Sequence, residues 1–156
     1  MLKLMHFLSH WTAFAGVLAL STTAAPRHAW AAQNESAGTP ILIQAAGHTI
    51  RATLNDSRTA QDFIKSLPRS LTMTRWGDRE FYGKVGSRLF DAVPRQKGFA
   101  DGDITYWVPG ASFAIFYDST KDQDIDDLIV IGKIQSDLSV FKDLDYVLTM
   151  RIELAP

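Results

Sequence analysis

The chain contains no cysteine and little histidine, and these two absences exclude several kinds of site. None of its 156 residues is cysteine, so disulfides, a lipoprotein anchor and a cysteine nucleophile are excluded. His6, His10 and His28 lie near the N-terminus, which leaves His48 for the rest of the chain. Zinc sites built from cysteine and histidine are therefore not expected. A Ser-His-Asp triad would depend on His48, which opens a predicted strand, so we do not expect one.

A strong excess of either charge is absent as well. The chain carries 16 basic and 17 acidic residues, which gives a net charge of −1. Removal of the N-terminal segment described next would take away Lys3 and Arg27 and leave a net charge of about −3. This mild charge gives no reason to expect a nucleic-acid partner.

The N-terminus has the layout of a secretory signal. "MLKLMHFLSHW" carries Lys3 and no acid, "TAFAGVLAL" is apolar, and "STTAAPRHAWAA" ends in small residues. The apolar run Thr12–Leu20 is too short to cross a hydrocarbon core of ~30 Å. We predict a signal peptide over residues 1–31 with cleavage after Ala31, a periplasmic or secreted location, and no membrane attachment afterwards.

The remaining residues, about 125, can bury one core without disulfides. The polar segment 32–40 ("AQNESAGTP") is predicted as a flexible leader, and residues 41–156 as one domain. "ILIQA" and "HTIRATL" flank Ala46-Gly47, which predicts a β-hairpin, because glycine tolerates the positive φ of a tight turn. A helix is predicted from Asp56-Ser57 to Pro68, with an apolar stripe at helical spacing.

Most other elements are predicted as short strands with turns between them. The strands are "SLTMTRW", a piece near Phe81-Tyr82, "DITYWV", "SFAIFYD", "LIVIGKI" and "YVLTMRIEL". A short helix is predicted near residues 137–144. Because no alternation of strand and helix is present, the pattern indicates a mainly β protein, either an antiparallel sandwich or a barrel.

Three of these segments carry a resemblance. "TLNDSRTAQDFIKSLPRSLTMTRWGDREFYGKV", "GDITYWVPGASFAIFYDST" and "IVIGKI" resemble, in this order, the bacterial cyclophilin-like proteins of unknown function. The resemblance covers roughly residues 41–153. It implies a small closed or nearly closed cyclophilin-like β-barrel with one clear and one short helix, and it implies no established activity.

True cyclophilins are prolyl isomerases, and their groove uses an arginine, a phenylalanine-rich proline pocket and a Gln-Gly-Gly-Asp segment. This chain has "GFADGDITYW" at the matching place, without the Gln-Gly-Gly run, and it contains no Phe-His-Arg triplet. We therefore transfer no catalytic residue from cyclophilins, since a shared fold is a weak argument for activity.

The two aromatic strands are apolar on both faces. In "DITYWV", Tyr106 shares a face with Ile104, and Trp107 lies on the other face; in "SFAIFY", Phe113 and Phe116 lie on opposite faces. One face of each strand must form the interior of a barrel. The other face needs a cover from a helix, a loop or a ligand, so two interpretations remain open: a core with a covering helix, or a groove that binds a ligand.

The segment "RWGDREFYG" places two arginines, two acids, Trp76 and Tyr82 around one glycine. Arginine beside aromatic rings suits a peptide groove, and Glu80 could orient an arginine or act as a base if desolvated. A surface turn with weak ion pairs is the alternative. The predicted ligand-binding residues are Arg75, Trp76, Arg79, Glu80, Tyr82, Tyr106, Trp107 and Phe116.

The acidic segment "DSTKDQDIDDLIVIGK" begins like a calcium loop, with Asp122, Asp124 and Asp126. However, the sixth position is Asp127 instead of glycine, and the twelfth is Lys133 instead of glutamate. An EF-hand is therefore not expected. The segment is predicted as a solvated acidic loop, with a weak calcium site as the alternative, and no metal or other cofactor is predicted.

These observations favour an exported cyclophilin-like domain that binds a peptide or small ligand in an aromatic groove, with Arg75 or Arg79 as polar anchor. The alternative is a divergent peptidyl-prolyl cis-trans isomerase that uses one of these arginines without a cofactor. A third interpretation, a structural partner of another exported protein, predicts an exposed apolar patch instead of a concave one.

Overall fold

The computed structural model describes residues 38–156. The predicted signal peptide and most of the predicted leader lie outside these residues. The described part contains strands β1 (Thr39–Ala45), β2 (His48–Leu54), β3 (Arg69–Trp76), β4 (Glu80–Lys84), β5 (Asp103–Trp107), β6 (Ser112–Phe116), β7 (Leu128–Ile134) and β8 (Val147–Leu154). It also contains helix α1 (Arg58–Ile64) and a 3-10 turn (Leu138–Lys142).

The eight strands form one closed barrel in the order β1-β2-β7-β5-β6-β4-β3-β8, with β8 pairing back onto β1. Every neighbouring pair is antiparallel. The prediction of a mainly β, cyclophilin-like barrel is confirmed. Closure pairs both sides of every strand, so the barrel presents no free sheet edge.

The β1–β2 hairpin forms where the sequence predicts it. Ala46 and Gly47 make the turn with φ values of 47° and 82°, the combination that a two-residue hairpin turn requires. Strand β1 starts at Thr39, so it takes in two residues that the sequence analysis assigned to the leader. Pairing of Thr39 with Leu54 and of Pro40 with Thr53 extends the strand backwards.

Helix α1 follows its predicted cap and stripe. The Ser57 hydroxyl accepts a hydrogen bond from the Ala60 N–H at 3.2 Å, and Ala60 and Phe63 are fully buried. Phe63 stacks on Phe113 of β6 with ring centroids 4.8 Å apart. The helix therefore packs its apolar stripe into the main core.

The predicted short helix near residues 137–144 is a five-residue 3-10 turn. The Asp137 carboxylate accepts from the Ser139 N–H at 2.9 Å, and the Asp143 N–H donates to the Val140 carbonyl. This segment is too short to propagate an α-helix. Its buried side chain, Phe141, stacks on Tyr117 at 5.7 Å.

No helix within residues 38–156 is long and apolar enough to cross a membrane.

Inner and outer faces of the aromatic strands are both buried, but in different clusters. The inward residues Ile104, Tyr106, Phe113 and Ile115 belong to the main core. The outward residues Ala114, Phe116 and Leu128 form a second, smaller cluster with Phe99. The barrel thus carries apolar surface on its outside, and what covers this surface determines where a ligand can bind.

Candidate functional site

A cleft of about 450 Å³ lies on the outer surface of the barrel. Four adjacent strands, β5, β6, β4 and β3, form its floor and walls, and the loop between β6 and β7 borders it. The lining residues are Trp76, Arg79, Glu80, Tyr82, Trp107, Ser112, Ala114, Asp122, Asp124 and Ile125.

Strand register brings the predicted residues together. Trp76 pairs with Glu80 across β3 and β4, and Trp107 pairs with Ser112 across β5 and β6. Tyr82 pairs with Ala114, and this pairing of β4 with β6 joins the β3–β4 hairpin to the β5–β6 hairpin. Because side chains alternate across a strand, these residues all lie on the outer face, opposite their core neighbours.

Trp76 and Tyr82 form one corner of the cleft. Their ring centroids are 6.5 Å apart and the rings are nearly perpendicular, at 77°. The Trp76 side chain is largely exposed, with 56% of its surface accessible. An exposed indole beside a phenol is costly to leave in water and well suited to contact with a ligand.

The Trp107 indole lies directly over the backbone of Gly110. A Cβ atom at Gly110 would be 2.3 Å from both Cε3 and Cζ3 of the indole, far inside van der Waals contact. The "VPGAS" turn therefore uses glycine because the indole occupies the space of a side chain. This contact fixes the orientation of Trp107 at the cleft.

Arg79 and Glu80 form a buried ion pair in the wall of the cleft. The Arg79 Nε donates to Glu80 Oε2 at 3.2 Å, and both side chains are more than nine-tenths buried. The Arg79 Nη1 donates to the Asp122 carbonyl oxygen, and its guanidinium lies 5.7 Å from the Phe99 ring centroid. Burial raises the pKa of Glu80 to about 7, and Arg79 opposes part of this effect.

Two carboxylates on the rim of the cleft are exposed. The side chains of Asp122 and Asp124 are 76% and 77% accessible. Lys97 lies 2.8 Å from Asp124 and is exposed itself, and its proximity lowers the pKa of Asp124. Asp122 lies 3.9 Å from the Arg79 Nη1.

Loops, not a helix, cover part of the outer face of β5 and β6. Phe99 stacks on Phe116 with centroids 4.0 Å apart, and Ile125 packs against the same cluster. The cover ends there, and the remaining outer surface is the cleft. Loops therefore cover one part of the second apolar face, and an open cleft takes up the rest.

Five of the eight predicted ligand-binding residues line the cleft: Trp76, Arg79, Glu80, Tyr82 and Trp107. Arg75, Tyr106 and Phe116 do not. Tyr106 faces the interior, fully buried, with its hydroxyl accepting from the Leu89 N–H at 3.4 Å. Phe116 is on the outer face but is completely covered by Phe99.

Arg75 serves the 3-10 turn instead of the cleft. It alternates with Trp76 on β3, so it faces inwards at the end of the barrel. Its Nη2 donates to the carbonyl oxygens of Phe141 at 3.1 Å and Lys142 at 3.2 Å, and also to that of Leu144. The guanidinium lies 5.0 Å from the Phe81 ring centroid. The hypothesis of Arg75 as a polar anchor for a ligand therefore has no support in its position.

Sequence reasoning did not assign Ser112, Ala114, Asp122, Asp124 and Ile125 to the site. For Ser112 and Ala114 the signal was available, because alternation along "SFAIF" places them beside Trp107 and Tyr82. For the β6–β7 loop there was no local signal, because its path over the barrel depends on tertiary contacts such as that between Gln123 Oε1 and the Phe99 N–H.

The acidic segment does not form a calcium loop. Within residues 38–156, no group of three or more acidic or histidine side chains is placed to hold a metal ion. Asp124 and Asp126 both point to Lys97, at 2.8 Å and 3.9 Å. The segment is a loop of surface ion pairs that closes one side of the cleft.

Two solved structures share this fold. The hypothetical protein AF2241 from Archaeoglobus fulgidus superposes with a TM-score of 0.62 at 22% identity, over 76% of this chain and 96% of that one. McbB, solved in complex with tryptophan, superposes with a TM-score of 0.53 at 9% identity, over 73% of this chain and 44% of that one. At such identities both comparisons speak for the fold alone. No curated protein matches the sequence.

A family model also matches most of the chain. Residues 43–153 match the cyclophilin-like family. This range contains the end of β1, all of β2 to β7, β8 except its last residue, and every residue that lines the cleft. The match agrees with the closed barrel and with the resemblance found in the sequence. The chain belongs to the cyclophilin-like family.

Proposed function

We propose that this domain binds a peptide or small ligand in the outer cleft, with Trp76 and Trp107 as its main contacts. The observation that carries the proposal is the meeting of the two indoles in one concave surface. They come from strands that are not neighbours in the barrel, β3 and β5, and both line the same cleft on its outer face. Concave sites with aromatic walls and a few polar groups are typical of ligand pockets.

The polar groups of the cleft are arranged for binding more readily than for catalysis. The isomerase alternative requires Arg75 or Arg79 as a free donor to a peptide carbonyl. Arg75 does not line the cleft, and Arg79 is held by Glu80 and by the Asp122 carbonyl oxygen. Binding needs no such free donor, because the aromatic walls supply contact area. We therefore favour a binding module over a prolyl isomerase.

The proposal includes export. It is supported by the N-terminal sequence, whose basic start, apolar run and small residues match a secretory signal. Mass spectrometry of the protein outside the cytoplasm should find an N-terminus at Ala32. A product that starts at Met1 and stays in the cytoplasm would contradict export without affecting the proposal about the cleft.

Fluorine NMR of the full chain labelled with 5-fluorotryptophan tests the cleft directly. The full chain has four tryptophans, so four signals are expected, assigned by single substitutions to phenylalanine; the processed form that starts at Ala32 should show only the signals of Trp76 and Trp107. A screen of peptides and small aromatic or charged compounds should shift the signals of Trp76 and Trp107. Trp11 and Trp30 serve as internal references, because the proposal gives them no part in the cleft.

Two variants, Trp76→Ala and Trp107→Ala, test the contribution of each indole to binding. Each should weaken binding at least about tenfold, since truncating a central aromatic contact costs more than ~1.4 kcal/mol. Tyr146→Ala is the control, because Tyr146 is 62% exposed and does not line the cleft. Ligands that bind but leave the signals of Trp76 and Trp107 unchanged would contradict the proposal. If the wild type catalyses isomerisation of a proline peptide and Arg79→Ala does not, the isomerase alternative replaces the proposal of a binding module.

A further inference from the structure

We propose that the cleft recognises an organic ammonium group, which lies between the rings of Trp76, Tyr82 and Trp107 and faces the carboxylates of Asp122 and Asp124. This inference rests on the proposed function, because it names the ligand chemistry of the same cleft. The ammonium group can belong to a lysine side chain of a peptide, methylated or not, or to a free small molecule.

The first step of the argument concerns the aromatic rings. The three rings come from three different strands, β3, β4 and β5, and all line one concave surface. The perpendicular contact of Trp76 and Tyr82 makes a corner and not a flat stack. Ring faces attract a cation within about 6 Å, and several rings around one pocket are an established solution for binding ammonium groups.

The second step concerns the position of the charges. Four charged residues line the cleft, and Arg79 is the one cation among them. Its side chain is only 9% accessible and is paired with Glu80 at 3.2 Å. By contrast, Asp122 and Asp124 are more than three-quarters accessible at the rim. A ligand that enters the cleft therefore meets negative charge first, while the positive charge is buried and hydrogen-bonded to Glu80 and to the Asp122 carbonyl oxygen.

The third step compares a cation with an anion as the ligand. A carboxylate would have to reach Arg79 past Asp122 and Asp124, and would compete with Glu80 for the guanidinium. An ammonium group meets no such obstacle. Its competitors among the described residues at the rim are Lys97, which lies 2.8 Å from Asp124 and does not line the cleft, and Arg79, which lies 3.9 Å from Asp122. Lys97 shows that an ammonium group is compatible with this carboxylate.

The test compares a charged probe with a neutral probe of the same shape. A tripeptide with a central trimethyllysine is titrated into the fluorotryptophan-labelled full chain, followed by the peptide in which a carbon atom replaces the ammonium nitrogen. Choline serves as the free small molecule, and a peptide with central glutamate as the anion. We expect the ammonium peptide to bind about tenfold more tightly than its neutral counterpart.

Charge variants of the rim provide the second measurement. Asp122→Asn and Asp124→Asn should each weaken the ammonium probe about threefold and leave the neutral probe unchanged, as expected for exposed charges. At position 122 asparagine keeps the oxygen that accepts from the Asp124 N–H at 2.9 Å. Lys97→Gln should strengthen binding, because it removes the competing cation. Asp126→Asn is the matched control, an exposed acid of the same loop outside the cleft lining.

The outcomes separate this inference from the proposed function. A preference for the ammonium probe that falls about threefold in each of Asp122→Asn and Asp124→Asn supports it, and the comparison of choline with the peptide identifies the source. Equal binding of the charged and neutral probes, or tighter binding of the glutamate peptide, overturns the inference and leaves the cleft as a binding site. If no compound of the screen shifts Trp76 or Trp107, both proposals fail.

Discussion

Glu80 shows how a single residue of this chain departs from its ordinary chemistry. It is an outward residue of β4 and would be expected in water, yet the β6–β7 loop and Arg79 leave it only 6% exposed. Burial makes the charged carboxylate unfavourable, and one ion pair with Arg79 offsets this only in part, so the pKa is raised to about 7.

This raised pKa predicts how stability depends on pH. Between the ordinary value of 4.5 and about 7, the folded state holds one proton more than the unfolded chain. The free energy of unfolding should therefore fall as the pH rises from 5 to 7, by at most ~1.4 kcal/mol per pH unit from this group. Urea unfolding at several pH values measures the slope.

Glu80→Gln should remove that slope, since an amide does not titrate. Glu153→Gln is the control, because Glu153 pairs with Arg151 on the outer surface and is about a third exposed. Identical slopes for the wild type and Glu80→Gln would show that Glu80 is ionised throughout this range.

Gly110 predicts a local effect on the cleft. In Gly110→Ala the new Cβ would overlap the Trp107 indole, so the indole must move. The fluorine signal of Trp107 should shift in the free protein while that of Trp76 stays, and ligand affinity should drop about tenfold. Gly86→Ala is the control for backbone strain without a clash, since the φ of 82° there is strained for alanine while a Cβ meets nothing within 4 Å. Unchanged affinity with a displaced Trp107 would remove this indole from the binding contacts.

At the scale of elements, the 3-10 turn depends on a side chain from another strand. Five residues cannot form a stable helix by themselves. Its terminal carbonyl oxygens are satisfied by Arg75, and Phe141 packs between Phe81 and Tyr117. Arg75 therefore does for this turn what a capping residue does for a longer helix.

Arg75→Ala should accordingly destabilise the domain by about 2 kcal/mol, because several partly buried carbonyl oxygens lose their donor. Ligand binding at the cleft should persist in the folded fraction. Urea unfolding gives the first quantity and fluorine NMR the second. Arg88→Ala is the matched control, since Arg88 is exposed and pairs only weakly with Asp91 at 3.9 Å. A loss of binding without a loss of stability would show that Arg75 contributes to ligand binding instead of to the 3-10 turn.

At the scale of the whole molecule, closure of the barrel depends on a short seam between β2 and β7. Three residue pairs connect these strands, and Gly132 opposite Leu54 is one of them. A Cβ at Gly132 would lie 2.5 Å from the Thr53 carbonyl oxygen and 3.1 Å from the Leu54 Cα. Since backbone atoms cannot move aside as a side chain can, the strands approach closely only because this residue is glycine.

Gly132→Ala should therefore loosen the barrel at this seam, with a cost above about 2 kcal/mol. Amide hydrogen exchange should speed up first at residues 52–54 and 132–134, ahead of β3 and β8, which pair over six residues. Gly86→Ala again provides the control. Uniform acceleration over all eight strands would show that the barrel opens as one unit and that the seam is not its weak point.

The sequence by itself determined the elements of this protein and most of their faces. Glycine at the β1–β2 turn, the Ser57 cap, the stripe through Phe63 and the alternation in "DITYW" and "SFAIF" are local patterns, and each is found as predicted. Together with the resemblance, these patterns were sufficient to predict a closed cyclophilin-like barrel. The sequence also predicted five residues of the cleft. Three of them, Trp76, Tyr82 and Trp107, lie in motifs rich in aromatic rings.

The tertiary structure alone decided what covers the barrel and which charges face the cleft. Arg75 and Arg79 flank the same Trp-Gly-Asp segment, yet one enters the barrel end and the other pairs with Glu80 outside, because Arg75 lies on the inner face of β3 and Arg79 lies in the turn before β4. Likewise, Asp122 and Asp124 reach the cleft only through the path of a long loop. Local patterns fix the face of a residue within its own strand, but contacts between distant segments depend on register and loop paths, which no short stretch of sequence encodes.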